Sequence, residues 1–380
     1  MPDVAVVGAG PVGMLIAGEL ARRGLDVTVH ERREAPGAGT RAIGVHAPVL
    51  AALERSGRTD ALLAVAQRVP RGEAHADGRL LGTVRFDRLA TRFPFVATLP
   101  QAATEAVLAR DAPEPVRGVA VTGVSQVADA VRLTAVRGDG EIEIDAPLVV
   151  IAAGVSGRGL VYRIAGLAAH EYRDRYLMAD AALPPRDDAA TAVVHLDRSG
   201  VLESFPLPDG IRRFVAWDAP GGDPDPGART ARLQAALRAR GEAHAADAVT
   251  HATAFGVRRV VAPRLRRGRV FVIGDTAHEV SPIGGQGMNL GLLDAAALAP
   301  LLADWSRSGV APEPELRRWE ESRVRSARTA ARLAAANTAL GRPLNPAMHR
   351  ARKRALRLAL GPATMSVFAR AYAMGFDADA

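Results

Sequence analysis

The chain of 380 residues is long enough for two packed domains or one large α/β unit, and its 48% hydrophobic but only 4% aromatic content predicts an aliphatic, alanine-rich core. It has no cysteine, which excludes disulfides, thiolate metal sites, iron–sulfur clusters and a cysteine nucleophile within it. The net charge of +8 is nearly all arginine, with Lys353 the single lysine and 41 acids interspersed; this reads as a solvated arginine-rich surface, with no nucleic-acid partner expected.

Met1-Pro2-Asp3 lacks the basic region and cleavage site of a signal peptide. No apolar run reaches the roughly 18 to 20 residues that span a bilayer. The expectation is a soluble, cytoplasmic protein without stable membrane insertion. Val4–Val7 reads as a strand, Met14–Arg23 as a helix and Val27–His30 as a second strand, the βαβ order of a parallel sheet. Gln101–Arg110 reads as a helix. Gly118–Arg137 with Glu141–Ile144 reads as a β-meander, and Leu148–Ala152 as a strand buried on both faces. From about 170 to 260, short strands alternate with Pro/Gly turns, and Pro220–Gly227 is a loop. Val270–Ile273 is a further buried strand, followed by a Gly-rich stretch and a helix from about Asn289. The remainder from about Pro312 is helical, broken at Gly341–Pro346.

Gly8-Ala-Gly10-Pro11-Val12-Gly13 follows the first strand and opens the first helix. Gly8 permits the tight turn, Gly10 lets a phosphate approach the backbone, and Gly13 lets helix pack closely on strand. A pyrophosphate suits the amides and dipole of that helix N-terminus. Glu31 ends the second strand, 18 residues past Gly13, and can accept ribose hydroxyls. Its carboxylate opposes a 2′-phosphate, so FAD or NAD suits the pocket better than NADP, and Arg32 beside it is a further candidate cofactor contact.

A second signal decides between them. Gly268–Asp294 takes a buried strand into Gly274-Asp275, then Ser281-Pro282 and Gly284-Gly285-Gln286-Gly287-Met288-Asn289 at a helix start. An aspartate there can hold a polyol hydroxyl. Small residues and bare amides suit the carbonyl edge of a flat ring.

With these motifs the chain resembles, over nearly its full length, the class A flavoprotein monooxygenases of the para-hydroxybenzoate hydroxylase-like fold. Arg41-Ala-Ile-Gly-Val-His46 resembles the segment whose arginine contacts the cofactor, and Pro100-Gln101 the segment whose glutamine approaches the flavin. The resemblance implies that Asp275 holds the ribityl chain and that the Gly287, Met288 and Asn289 backbone lies along the flavin's pyrimidine edge. Tyr172–Asp180 is similar to aromatic polyketide hydroxylases, and Met374-Gly375-Phe376 to ubiquinone-biosynthesis hydroxylases. The implied fold is α/β, with a discontinuous Rossmann-like FAD-binding domain (1–70, 98–168 and 263–311), a β-sheet substrate domain (71–97 and 169–262) and C-terminal helices (312–380). One departure stands out. Where the family has an Asp-Gly pair after the 148–152 strand, this chain has Ala153-Gly154.

The resemblance implies FAD as cofactor, NADH or NADPH as electron donor and dioxygen as oxidant. A flavin C4a-hydroperoxide would hydroxylate a small aromatic molecule such as a phenol, quinol or polyketide, in secondary metabolism. Such chemistry needs few catalytic side chains, which suits the absence of a triad or metal cluster from the sequence. No catalytic residue is assigned firmly; His46 is the first candidate for a substrate-side group, ahead of His195, His251 and His278. Phe205, Phe214 and Trp217 are candidates to line the substrate pocket. A monomer or homodimer is expected. Alternatives are Baeyer–Villiger oxidation, an antibiotic-inactivating oxygenase, or a non-hydroxylating flavoprotein that binds a labile intermediate. The basic run His349–Arg357 reads as a solvated helix face, with Arg350, Arg354 and Arg357 on one side and Leu356 and Leu360 on another.

Overall fold

The computed structural model describes residues 1–36, 42–163, 166–361, 364–375 and 377. The β-branched runs form a central six-stranded sheet in the order 266–267, 270–272, 148–151, 4–7, 27–31, 116–117. Val4–Val7 pairs in parallel with both Leu148–Ile151 and Val27–His30, and Val149–Ile151 pairs in parallel with Val270–Val272. Three of these strands therefore end at the same edge. Their turns, beginning at Gly8, Ala152 and Ile273, open side by side, where ligands of open parallel sheets bind.

Both faces of this sheet are covered, which explains its unbroken apolar runs. Val4, Val6, Leu148, Val150 and Phe271 pack with helices Pro11–Ala21 and Gly287–Ser308. Ala5, Val7, Val149 and Ile151 pack on Val131 and Leu133 of the antiparallel meander 119–146.

An eight-stranded sheet runs in the order 278–279, 253–261, 169–182, 211–218, 200–206, 191–197, 71–76, 79–85. One face carries Leu177, Leu202, Phe214 and Ala216 under helices Pro226–Arg238 and Ala243–Ala248. The other carries Tyr176, Met178, Val201, Val215 and Trp217 and meets Ile283 and Leu356. The sequence reading of 170–260 as short strands and turns misses two features. Ala169–Ala182 is one long strand bent by a register shift between Glu171 and Arg175. Pro226–Arg238 is a helix, with Pro226 in its first turn and an Asp225 cap accepting from the Ala228 amide at 2.9 Å. Its start lies inside the Pro/Gly-rich loop, whose composition conceals the cap.

The arginines are not only a solvated surface. Arg58, Arg158, Arg212, Arg213, Arg323 and Arg352 are buried. Arg352 donates to the Leu196 and Asp197 carbonyls, each at 2.9 Å, and so fastens helix Pro346–Ala359 to the large sheet. His349 and Lys353 of that helix meet Asp77. Arg350, Arg354 and Arg357 are exposed while Leu356 is buried, but Leu358 is exposed too. No helix among the described residues is long and apolar enough to cross a membrane.

The most buried polar cluster centres on Asp294, within helix Gly287–Ser308. Its carboxylate accepts from the Gly274 amide at 3.1 Å, meets His278 Nε2 at 2.6 Å and accepts from Arg323 Nε at 2.9 Å. Arg323, on helix Glu313–Leu340, also donates to Asp377 at 2.8 Å. Burial pushes the Asp294 carboxyl up, but His278 and Arg323 outweigh it and hold it below the usual carboxylate range. Replacing Asp294 by alanine takes one of two carboxylates from a buried guanidinium and leaves His278 and the Gly274 amide without their acceptor, so Asp294→Ala should cost about 3–5 kcal/mol of unfolding free energy in a urea titration. A loss below about 1 kcal/mol would show that the cluster does not hold the fold together.

Candidate cofactor and substrate site

The Gly8–Gly13 turn is built around close backbone approach. Gly8 has φ +106°, and a Cβ there would lie 2.5 Å from the Ala152 carbonyl oxygen. At Gly13 a Cβ would fall 1.9 Å from the Gly8 carbonyl oxygen, so helix and strand meet as only glycine permits. Gly10 differs: its side-chain position faces open space. It precedes helix Pro11–Ala21, whose first amides have no partner within the helix. Pro11 and Val12 are half-buried at that end.

Glu31 is buried and oriented. Its Oε2 accepts from the Ala9 amide at 2.8 Å, and its Oε1 accepts from the Arg33 amide and Nε, each at 2.9 Å. Burial raises its pKa, but the Arg33 side chain and the two amides outweigh that and hold it ionised and low. A carboxylate has about four acceptor positions, so these bonds leave room for a further donor. Across the sheet register Glu31 pairs with Arg117, whose Nη1 is buried without a partner. Arg32 is exposed beside them. A buried carboxylate and an unsatisfied guanidinium N–H at this edge fit the polar sugar–adenine end of a dinucleotide.

The second glycine-rich segment comes to the first. A Cβ on Gly274 would sit 3.3 Å from Val12 Cγ2, and one on Gly291 would be 2.6 Å from the same atom. The Gly274–Thr276 turn is held from three sides. Asp294 accepts its first amide, Arg158 Nη2 donates to the Asp275 carbonyl at 2.7 Å, and Thr276 Oγ1 donates to the Gly154 carbonyl at 2.9 Å. Arg158 is steadied in turn by Glu279 at 2.8 Å. The Asp275 side chain is exposed, and Gly154, with φ +65°, has open space where a side chain would stand. Ala153 packs instead into the apolar cluster of the meander.

The turn before helix Gly287–Ser308 is clamped just as firmly. Ser281 Oγ bonds Thr338 Oγ1 at 2.8 Å, and Gln286 Nε2 donates to the Ala371 carbonyl at 3.1 Å. Asn289 is fully buried; it accepts from the His46 amide at 2.9 Å and donates to the Gly44 and Gly285 carbonyls. Its side chain thus braces the turn, leaving Pro282 and Gly285 exposed and Gly287 and Met288 half-buried at the helix start. Open positions at Gly10 and Gly154, with bare amides at two helix N-termini, fit an extended anionic cofactor with a flat ring at one end.

His46 lies beneath Gly285, 4% exposed, with its Nδ1 unpartnered. Burial lowers its pKa to about 4, against a backbone hydrogen bond with Gly285 that raises it, so the ring is neutral. Gln101 is half-buried; its Oε1 accepts from the Ala42 amide at 3.3 Å and its Nε2 donates to Glu105 at 2.8 Å. Arg41 and Phe376 lie outside the described residues. Phe205 and Trp217 alternate onto the sheet face that meets Ile283, whereas Phe214 lies on the opposite face under the 226–248 helices. His195 pairs with His75 across the strands 191–197 and 71–76, at a ring-centroid distance of 5.6 Å. Arg158, Glu203 and Tyr372 escaped the sequence reading, while Thr276 and Tyr176 lie inside the Gly268–Asp294 and Tyr172–Asp180 segments without having been given a role. Arg158 follows the Ala153-Gly154 pair by four residues, the one local signal that could have drawn attention to it.

Comparison with known proteins agrees with this geometry. The family model described as an FAD binding domain matches residues 1–334. The chain is 36% identical over 318 residues to 6-methylpretetramide 4-monooxygenase of Streptomyces rimosus, covering 80% of this chain and 56% of that protein. It is 34% identical over 327 residues to rifampicin monooxygenase of Streptomyces venezuelae, covering 82% and 66%. The chain therefore spans under two thirds of the length of these two relatives. The p-nitrophenol 4-monooxygenase of Pseudomonas putida DLL-E4 superposes with a TM-score of 0.87 at 23% identity, over 100% of this chain and 98% of that one, which shows a shared fold. From the two meeting glycine-rich turns and a family match over most of its length, the chain belongs to the FAD-binding domain family of the class A flavin monooxygenases.

Proposed function

We propose that the chain is an FAD-dependent monooxygenase that hydroxylates a small aromatic molecule, with NADH or NADPH as electron donor and dioxygen as oxidant. The observation that carries this reading is the contact of Val12 with Gly274 and Gly291. It brings the Gly8–Gly13 turn against the Gly274 turn and against the helix that the Gly284–Met288 turn opens, and FAD would run between them in one groove. When bound there, FAD would accept hydride and supply the oxygen-transfer chemistry. Glu31 and the amides of 10–13 would hold the dinucleotide end, and Asp275 with the backbone of 287–289 the flavin end. The chain's other task is to exclude water and seat an aromatic ring against the flavin turn. Tyr172, Tyr176, Trp217 and Phe255 gather on the sheet face beside Ile283, and Phe205 shares that face; this supports an aromatic substrate. The relatives named for 6-methylpretetramide and rifampicin support a polyketide-type one, in secondary metabolism. The reading includes a cytoplasmic monomer or homodimer, and it leaves His46 a brace of the flavin turn rather than a base.

Ala153, where the family carries aspartate, favours a second reading: a flavoprotein that binds a labile intermediate without hydroxylating it. Anaerobic mixing with NADH or NADPH, with and without phenols and quinols, separates the two. Rapid bleaching of the flavin band, accelerated by one class of aromatic, is the expected result; a flavin that stays oxidised under every condition supports the second reading. Glu31→Ala should weaken FAD binding about tenfold to a hundredfold in a titration of apoprotein, the loss of a charge-assisted hydrogen bond. Unchanged affinity would place the ribose elsewhere.

A further inference from the structure

Most buried acids of this protein have a cation. Glu19 meets Arg58, Glu31 meets Arg33, Asp174 meets Arg342, Asp218 meets Arg232, Glu242 meets Arg186 and Asp294 meets Arg323, at distances of 2.6 to 2.9 Å. Glu203 is the exception. It is 6% exposed, and no hydrogen bond or ion pair reaches its carboxyl among the described residues. Burial alone pushes its pKa up to about 8. A folded chain this rich in arginine had cations to spare, so an unpaired interior acid points to a partner that arrives from outside.

Its position says which side that partner enters. Glu203 pairs with Val215 in the sheet register, and Val215 with Met178. It therefore shares the face of Tyr176, Met178 and Trp217 that meets Ile283, in the turn between Pro282 and Gly284. Two phenols adjoin it. After burial itself, the charge of Glu203 raises the pKa of Tyr372 and, ahead of Asp174, that of Tyr176. Tyr176 Oη is buried with no partner, and Tyr372 Oη meets Asn337 Oδ1 at 3.1 Å. The helix carrying Tyr372 is tied to the flavin turn by Gln286. The nearby cations are engaged elsewhere: Arg213 chelates Asp180 at 2.6 and 2.7 Å, and Arg342 binds Asp174.

We propose that Glu203 is the substrate's polar anchor and selects an uncharged aromatic ring bearing a hydrogen-bond donor, such as a phenolic hydroxyl, against aromatic carboxylates. This rests on the reading of the adjoining groove as the flavin site. A donor gives the lone carboxyl a partner, whereas an anionic ring would bring a second negative charge beside it while the cations on that face, among the described residues, are already engaged by Asp180 and Asp174. Tyr176 Oη, otherwise unsatisfied, can serve a second oxygen on the same ring system.

The test uses two probes with one ring, 2-naphthol and 2-naphthoate, titrated calorimetrically into the FAD-loaded protein between pH 6 and 9, without electron donor. As Glu203 ionises, the preference for naphthol over naphthoate should rise about tenfold or more. In Glu203→Gln, with the same shape and no charge to gain, the ratio should stay flat with pH. A ratio that is flat in the unaltered protein, that rises equally in the variant, or an absence of naphthol binding overturns the proposal. Melting temperature gives an independent reading. The raised pKa means stability is lost as pH climbs from the ordinary carboxylate range to about 8. Glu203→Gln should therefore melt above the parent, with a gap that widens over that window and is constant beyond it; a variant that melts lower at every pH contradicts an unpaired acid. Neither measurement requires turnover, so failure here is distinct from failure of the flavin to be reduced.

Discussion

The carboxylate of Asp294 is the interaction on which the rest of the structure depends. It lies in the interior, where an ionised group survives only if fully bonded, and it is bonded by three separate parts of the chain. One is the amide that starts the Gly274 turn, another the histidine just beyond that turn, and the third an arginine from the following long helix. That arginine also binds Asp377, so the end of the described chain is fastened to the same point. The turn expected to carry the flavin's polyol chain is therefore fixed by buried charge, while its own side chain, Asp275, faces outward.

Around that point the same logic recurs. Arg158 grips the Asp275 carbonyl, Asn289 grips the Gly285 carbonyl, and Thr276 reaches the Gly154 carbonyl. Each buried side chain satisfies a backbone group on the interior side of a turn and leaves the outer amides for a ligand. Arginine does much of this bracing because its planar fork bonds several carbonyls at once. The basic composition is thus partly internal scaffolding. The contrast between braced charges and the lone carboxyl of Glu203 separates the residues that build the site from one that awaits a guest.

The features legible in the sequence were those whose chemistry is local. Gly8, Gly10 and Gly13 follow a strand at fixed spacing, and at Gly8 and Gly13 a backbone carbonyl stands where a side chain would have to go. The Gly284–Asn289 stretch announces a helix start in the same way. What depends on tertiary pairing was not legible. Nothing near Asp294 in sequence names Arg323 as its partner, and nothing near Glu203 reveals that it has none. Alternation along the strand 211–218 already separates Phe214 from Trp217, but which of them shares a face with Phe205 needs the register with the neighbouring strand. The Pro226–Arg238 helix was hidden because its cap belongs to a loop by composition.

Two glycine-rich turns, far apart in sequence, meet near the sheet face that bears Glu203, and together they would form one FAD groove. A crystal structure of the FAD complex tests it most directly. The pyrophosphate should lie on the amides of 10–13, the ribose at Glu31, and the flavin ring against Gly285–Met288 with Glu203 on its substrate side. A dinucleotide bound at Gly8–Gly13 whose far half turns away from Asp275 and Gly287 would contradict it.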